Sequence, residues 1–299
     1  MKQAITDEEV WLIKLLWLQG WSLHSFDPWC YGRWENRQTT GLINPVYESL
    51  EQLIQAAQLP KEEIEQYLDN FSNQGWLTSN QAQPFQLTHK YELLRLLVDC
   101  QANRARTAYK LAEAPGEMPV RMLSKRYAIP MFTWPLMYSR METFAVIHSA
   151  DAIGIKREEA RRFDLDSQSW TDEVRYGAPN QDLNCVLHLL GQDFLFNEAR
   201  SHSHPTTGSI IEELGLEACD EGDAHVLLFD SAQWKNSIAR ATSHMSDIPS
   251  VDFLQCFVDA CSMKRSCVPP KALAWAERLL CGRDSSELSQ TPSSDLTTR

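Results

Sequence analysis

At 299 residues, with a formal charge of -12 and a pI near 5.1, the chain is long enough for two domains with separate cores and too acidic for indiscriminate adhesion to nucleic acid. No basic leader with an apolar core opens it, and no apolar run approaches the roughly eighteen residues that span a bilayer, so the expected location is cytoplasmic, with no membrane partner. Eight cysteines scattered through a chain of this size fit reduced thiols better than a disulfide framework.

Residues 7–23 carry Trp11, Leu12, Leu15, Leu16 and Trp17 at helical spacing, which predicts an apolar helix ending near Gly20. The turn-rich segment after it contributes Trp21, Phe26, Trp29, Tyr31 and Trp34. These aromatics are expected to pack onto the next unit or onto a dimer mate; with His24, Arg33 and Arg37 beside them, a stacking platform is the alternative. A loop punctuated by Gly41 and Pro45 follows.

From Ser49 to about Cys100 the pattern is helix, tight turn, helix, two short strands and a third helix. Ser49 is a capping residue, with Gln52 placed three residues on to return a bond to it. Leu50, Leu53, Ile54 and Ala57 form one apolar face. Leu59-Pro60 breaks that helix, and Pro60 with Glu62 and Glu63 suits the opening turn of the next. Its inward stripe is Ile64, Tyr67, Leu68 and Phe71, and Gly75 is a left-handed terminator. Trp76 and Leu77 predict one strand, Phe85 and Leu87 another, with the polar tip Thr78 to Pro84 between them. Helical spacing returns from Lys90, with Leu93, Leu94, Leu97 and Val98 inward.

In this order, with a glycine and apolar pair closing the second helix and Leu87-Thr88 preceding the third, the stretch resembles the winged helix-turn-helix domains of bacterial MarR- and PadR-type regulators. The resemblance covers about residues 49–100 and implies a recognition helix from Pro60 to Gln74, a homodimer and double-stranded DNA as partner. Two copies would then present paired recognition helices to successive major grooves. The chemistry of that helix pulls the other way: Lys61 is its only basic residue, against Glu62, Glu63, Glu65 and Asp69. Affinity for duplex comes largely from neutralising phosphates. Gln66, Asn70 and Asn73 are suited to reading base edges, while the tip residues Asn80, Gln81 and Gln83 bring no positive charge. A protein partner on the same surface is therefore carried forward beside DNA.

Residues 101–126 are the most basic stretch, with Arg104, Arg106, Lys110, Arg121, Lys125 and Arg126 facing Glu113 and Glu117. They read as a solvated linker, or as the phosphate contacts that the recognition helix lacks. Tyr127 to Pro135 is apolar and bounded by proline. Farther on, SADAIGIKREEARRF reads as an ordinary amphipathic helix with Lys156, Arg157, Arg161 and Arg162 on a solvated face, with a small nucleic-acid-facing helical hairpin as the alternative. Residues 164–180 show no period. Leu183 to Phe196 reads as a buried helix, Ile210 to Leu214 as a short one, and HVLLFD (225–230) as a strand with both faces buried. VDFLQCFVDAC fits strand or helix equally, Ala272 to Leu280 reads as a last helix, and the tail from Gly282 as disordered.

No phosphate-binding glycine loop, HExxH motif or GxSxG elbow occurs in the sequence. Cys256, Cys261, Cys267 and Cys281 are the most metal-like group, but no paired CxxC spacing supports them. Cys185 with His188, near His202 and His204, is a weaker set of zinc donors. Asp220, Glu221, Asp223 and Asp230 are the carboxylates that a magnesium-dependent nuclease would gather near a strand end. Buried thiols and surface acids are the expected reading, with no metal or cofactor.

The expected fold is mainly α with small β content. A winged-helix domain with its aromatic extension (5–100) and the basic linker (101–126) precede a mostly helical α+β domain (127–281) and a tail (282–299). The expected function is a DNA-binding transcriptional regulator with a C-terminal effector or oligomerisation domain. Its contacts would be Lys61, Gln66, Asn70, Asn73, Arg104, Arg106, Lys110, Lys125, Arg126, Lys156 and Arg157. A non-enzymatic adaptor using the acidic helix and a metal-dependent nuclease-like enzyme are the alternatives.

Overall fold

A computed structural model describes residues 5–20, 45–78, 84–112, 136–139, 157–164, 169–176, 185–190, 207–239, 251–264 and 270–282. Among these, helices dominate and strands are the minority. The aromatic segment 21–34, the hairpin tip 79–83, Lys125, Arg126, Lys156, His202, His204, Cys267 and the tail lie outside the described residues.

Helix α1 (Asp7–Trp17) starts at a full capping box: Thr6 Oγ1 accepts from the Glu9 amide at 3.2 Å, and Glu9 Oε2 from the Thr6 amide at 2.9 Å. Helix α2 (Leu50–Ala57) is capped by Ser49, whose Oγ accepts from the Gln52 amide at 3.3 Å. The Gln52 side chain does not return its bond to the capping residue; its Oε1 accepts from the amide of Glu48, one residue earlier, at 2.8 Å. Pro60 cannot donate an amide and restricts the residue before it, so α2 ends in a left-handed Gln58 (φ 53°) and helix α3 (Lys61–Asn73) starts afresh.

The end of α3 follows from Gly75. At φ +74° it lets the Trp76 amide reach back to Phe71 O (2.8 Å) and its own amide to Ser72 O (3.0 Å), the paired bonds of a Schellman motif. The rings of Phe71 and Trp76 meet at 6.0 Å and supply the apolar contact that accompanies it. Strands β1 (Leu77–Thr78) and β2 (Gln86–Leu87) pair antiparallel with Leu77 opposite Leu87, and Thr88 Oγ1 donates to Gly75 O at 2.6 Å. Helix α4 (Lys90–Ala102) then buries Leu93, Leu94 and Leu97.

Parts of the stretches read as linker, helical hairpin and buried helix turn out to be strands, and so do two stretches that showed no period. Arg106–Leu111 is β3, Leu136–Ser139 is β4, Arg157–Asp164 is β5, Ser169–Tyr176 is β6 and Cys185–Leu189 is β7. β5 and β6 form their own antiparallel pair, whose register sets Glu158 opposite Arg175, Arg161 opposite Asp172 and Phe163 opposite Trp170. Such facing residue types stabilise a pairing that helical spacing on one strand does not reveal.

Helix α5 (Thr207–Leu214), β8 (Leu216–Ala218) and β9 (Val226–Asp230) follow. Helices α6 (Lys235–Ala239), α7 (Phe253–Ser262) and α8 (Pro270–Cys281) complete the order, so the ambiguous VDFLQCFVDAC segment resolves as helix. The main sheet runs β4-β7-β9-β3-β8, with β7 and β9 parallel and the other neighbours antiparallel.

β9 is buried on both faces, as its continuous apolar run predicts. Val226 and Leu228 face Ile210 and Leu214 of α5, while Leu227 and Phe229 join the core built by α1, α2, α3, α4, α7 and α8. That larger core includes Leu12, Leu53, Ile64, Leu93, Val186, Phe229 and Leu254, so the N-terminal helices and the sheet share one interior. The indole nitrogens of α1 fasten it on two sides: Trp11 Nε1 donates to Ala57 O at 3.0 Å and Trp17 Nε1 to Leu280 O at 2.9 Å.

A Cβ at Gly75 meets nothing within 4 Å, so the requirement for glycine there is purely a backbone one. Gly75→Ala is therefore expected to destabilise the fold by about 1–2 kcal/mol, the cost of a left-handed L-residue, seen as a lower urea midpoint at unchanged m-value.

Candidate functional site

Among the described residues, two places concentrate polar side chains. One is the outward face of α3. Ile64, Leu68 and Phe71 are buried, which turns Glu62, Glu63, Glu65, Gln66, Asp69 and Asn73 to solvent; Asn70 is half-buried at the edge of that face. Gln66, Asn70 and Asn73 recur at a four-then-three spacing, so they form one stripe. Lys61 stands at the start of the helix with Nζ 3.6 Å from Glu65 Oε1, an exposed pair of little energetic weight. Behind the helix, burial raises the Tyr67 hydroxyl above its usual range, and the charges of Glu63 on α3 and Glu8 and Glu9 on α1 push the same way. A hydrogen bond with Thr6 opposes that rise.

The basic residues read as phosphate contacts do not join this face in any described contact. Arg106 grips Glu221, with Nη2 at 2.8 and 2.9 Å from its two carboxylate oxygens and Nε at 3.1 Å, and both side chains are largely buried. Arg104 lies 3.7 Å above the Trp234 ring, a cation–π stack. Burial pushes its guanidinium down to about 10, against the opposing pull of Asp259, so it stays charged at neutral pH. Lys110 is exposed on β3, 3.3 Å from Glu217 Oε2. Arg157 stands opposite Tyr176 at the start of β5.

The second place is interior, and no motif announced it. Lys14, in the middle of α1, is 1 % exposed, and each of its three ammonium protons has an acceptor: Ser237 O at 2.6 Å, Asp252 Oδ2 at 2.8 Å and Gln255 Oε1 at 2.9 Å. Asp252 also caps α7 by accepting the Gln255 amide at 2.9 Å. Gln255 Nε2 donates onward to Asp259 Oδ1 at 2.8 Å, which also accepts from Gln101 Nε2 of α4 at 2.7 Å. Asp259 Oδ2 lies 2.8 Å from His188 Nε2, and His188 Nδ1 lies 3.0 Å from Ser231 Oγ. A carboxylate only accepts, so Nε2 carries the ring proton toward Asp259 and, in the neutral ring, Nδ1 takes that of the Ser231 hydroxyl.

Ser231, His188 and Asp259 therefore have the hydrogen-bond sequence of a hydrolytic triad, with Ser231 directly after a parallel strand. The serine, however, sits on Nδ1 and the acid on Nε2, and all three side chains are 0 % exposed. A nucleophile needs room for a carbonyl and donors for the oxyanion; the Ser231 amide is already committed to Leu189 O at 2.7 Å. The arrangement joins sheet, α4, α7 and α1, and its chemistry is cohesion. A lone charged or imidazole group inside an apolar run was the available signal: Lys14 in WLIKLLW, His188 in VLHLL and Asp259 in FVDAC.

The other candidate sets come apart. Cys185 and His188 belong to a strand, where a spacing of three alternates faces instead of sharing one. Glu221 is held by Arg106 and by the Lys264 amide at 3.0 Å, and Asp230 Oδ1 accepts the Ala232 amide at 3.2 Å. Among the described residues no group of three or more His, Cys, Asp or Glu side chains is placed to hold a metal ion. Burial, and then the charge of Glu277, push the Cys261 thiol up to about 12 and that of Cys281 to about 11, which disfavours the ligating thiolate.

Lys14→Met would leave Asp252 buried without its cation, and a loss of about 3–5 kcal/mol is expected in chemical denaturation. Lys14→Met combined with Asp252→Leu is expected to cost less than Lys14→Met alone. Cys261 and Cys281 are expected to resist alkylation at neutral pH in the native chain and to react on unfolding, read by mass spectrometry. Because a native Cys261 keeps its proton where the unfolded thiol loses it, its contribution to stability falls as pH rises from the ordinary thiol range toward 12. The stability difference between wild type and Cys261→Ala should narrow over that window.

No known protein family, no curated protein and no solved structure matches this chain; no helix among its described residues is long and apolar enough to cross a membrane.

Proposed function

We propose that residues 49–102 form a winged-helix unit that acts as a docking module, and that the partner read by α3 is a protein with a basic surface. The observation that carries this reading is the outward face of α3, where four exposed carboxylates surround Gln66 and Asn73 and the one lysine is turned to Glu65. Arg104 and Arg106, which duplex binding would recruit for phosphates, are engaged with Trp234 and Glu221. The remainder of the chain is the scaffold that holds the unit: α1 and α4 enter the buried polar seam and leave α3 outside it. The scatter of eight cysteines through a chain of this length supports a reducing, cytoplasmic setting.

A second reading, a DNA-binding regulator acting as a homodimer, is favoured by the Gln66, Asn70 and Asn73 stripe, whose amides suit adenine edges. The two readings separate in one titration. Fluorescence anisotropy with labelled duplex at low salt is expected to show no association, and a salt-sensitive association would overturn the protein reading in favour of DNA. A photo-crosslinker placed at Asn73 is expected to yield a discrete protein adduct in cells. Paired reversals Glu65→Lys and Asp69→Lys should lower that adduct by roughly tenfold or more through lost charge complementarity.

A further inference from the structure

Where α4 ends, three side-chain polar atoms are sealed from solvent and touch no protein partner: Gln101 Oε1 in its last turn, and Arg104 Nε and Nη1 in the bend just after it. The Arg104 amide donates to Gln101 O at 3.1 Å in the turn that follows the helix, which keeps the two residues together. Both are tied to Asp259, Gln101 by its Nε2 bond at 2.7 Å and Arg104 through its charge. The Asp259 bond fixes the Gln101 amide, so its oxygen faces inward and requires a donor. The Arg104 nitrogens, held flat against Trp234, require an acceptor.

Buried polar groups in stable proteins are almost always satisfied, and an unsatisfied charged donor is the most costly case. Charge selects what satisfies these. A free anion would be opposed by Asp259 and Asp7, both of which act on Arg104, and a cation by the guanidinium itself. A neutral oxygen that donates one proton and accepts another meets both demands. We propose that Gln101, Arg104 and Trp234 enclose a binding site for a neutral hydroxyl species, filled by internal water, which completes the hydrogen bonding of the seam between α4 and α7. Internal waters of this kind occur about once per 27 residues and make about three hydrogen bonds each.

The test is a high-resolution crystal structure of the full chain, wild type and Gln101→Met. The expected result is an ordered oxygen within hydrogen-bond reach of Gln101 Oε1 and of an Arg104 nitrogen, lost in the Gln101→Met map. Density extending beyond one oxygen, matched by a mass in the extract of denatured protein, would assign the hydroxyl to a small alcohol instead of water. A dry site, or one in which these atoms bond protein groups, overturns the proposal. Arg104→Met gives an independent reading should Gln101→Met not fold. Removing hydrated donors is expected to lower the folding equilibrium constant roughly tenfold, whereas removing unsatisfied buried charge would leave it unchanged or raise it.

Discussion

The ammonium of Lys14 is the point on which the architecture turns. A buried cation is tolerable only when each proton has an acceptor and a counter-charge is near. Here one acceptor is a backbone carbonyl before α6 ends, and the other two are Asp252 and Gln255 at the start of α7. Apolar packing alone would let α1 slide or rotate against the sheet. Three directional bonds at one atom, with Asp7 of the same helix accepting the Asn236 and Ser237 amides at 2.9 Å each, fix both its depth and its rotation. From that fixed helix Trp11 reaches α2 and Trp17 reaches α8, so the position of the outward α3 derives from a bond made in the interior.

The division of polar residues explains why an acidic chain can hold a polar interior and still present a charged face. Inside, hydrogen bonds run from the Lys14 ammonium through Gln255, Asp259 and His188 to Ser231, and Lys14 and Arg104 are the cations beside the buried carboxylates. Outside, on α3, carboxylates go unmatched except at Lys61. Uncompensated charge in water costs little and lends itself to recognition, whereas the same imbalance inside would unfold the chain.

Local chemistry made α1 to α4 legible, with β9, α5 and α8 beyond them, and long-range chemistry hid the other strands of the sheets. Ser49, Pro60 and Gly75 act on backbone within a few residues of themselves, so the sequence announces the ends of α2 and α3. Residues 183–196 could not be read in the same way: Val186, Leu187, Leu189 and Leu190 are consistent with a helix or a doubly buried strand, and only pairing with β4 and β9 decides. The reading of Arg106–Leu111 as solvated linker failed for a related reason. Charge composition describes Arg106 as solvated, yet its partner Glu221 lies 115 residues away. On the outward face of α3 every named side chain was legible, because exposure there follows from the period of one helix. The polar seam was not, since a lone Lys14, His188 or Asp259 in an apolar run does not say which distant residue it meets.

The span of the Lys14 bonds also governs how the chain reaches this state. Its side-chain partners lie 238 and 241 residues downstream. During synthesis α1 emerges with its apolar stripe and lone ammonium long before α7 exists to receive them, and non-local closures of this length are slow. The nascent N-terminal helices thus spend most of translation as an incomplete surface, their apolar stripe unpaired until α7 has been made.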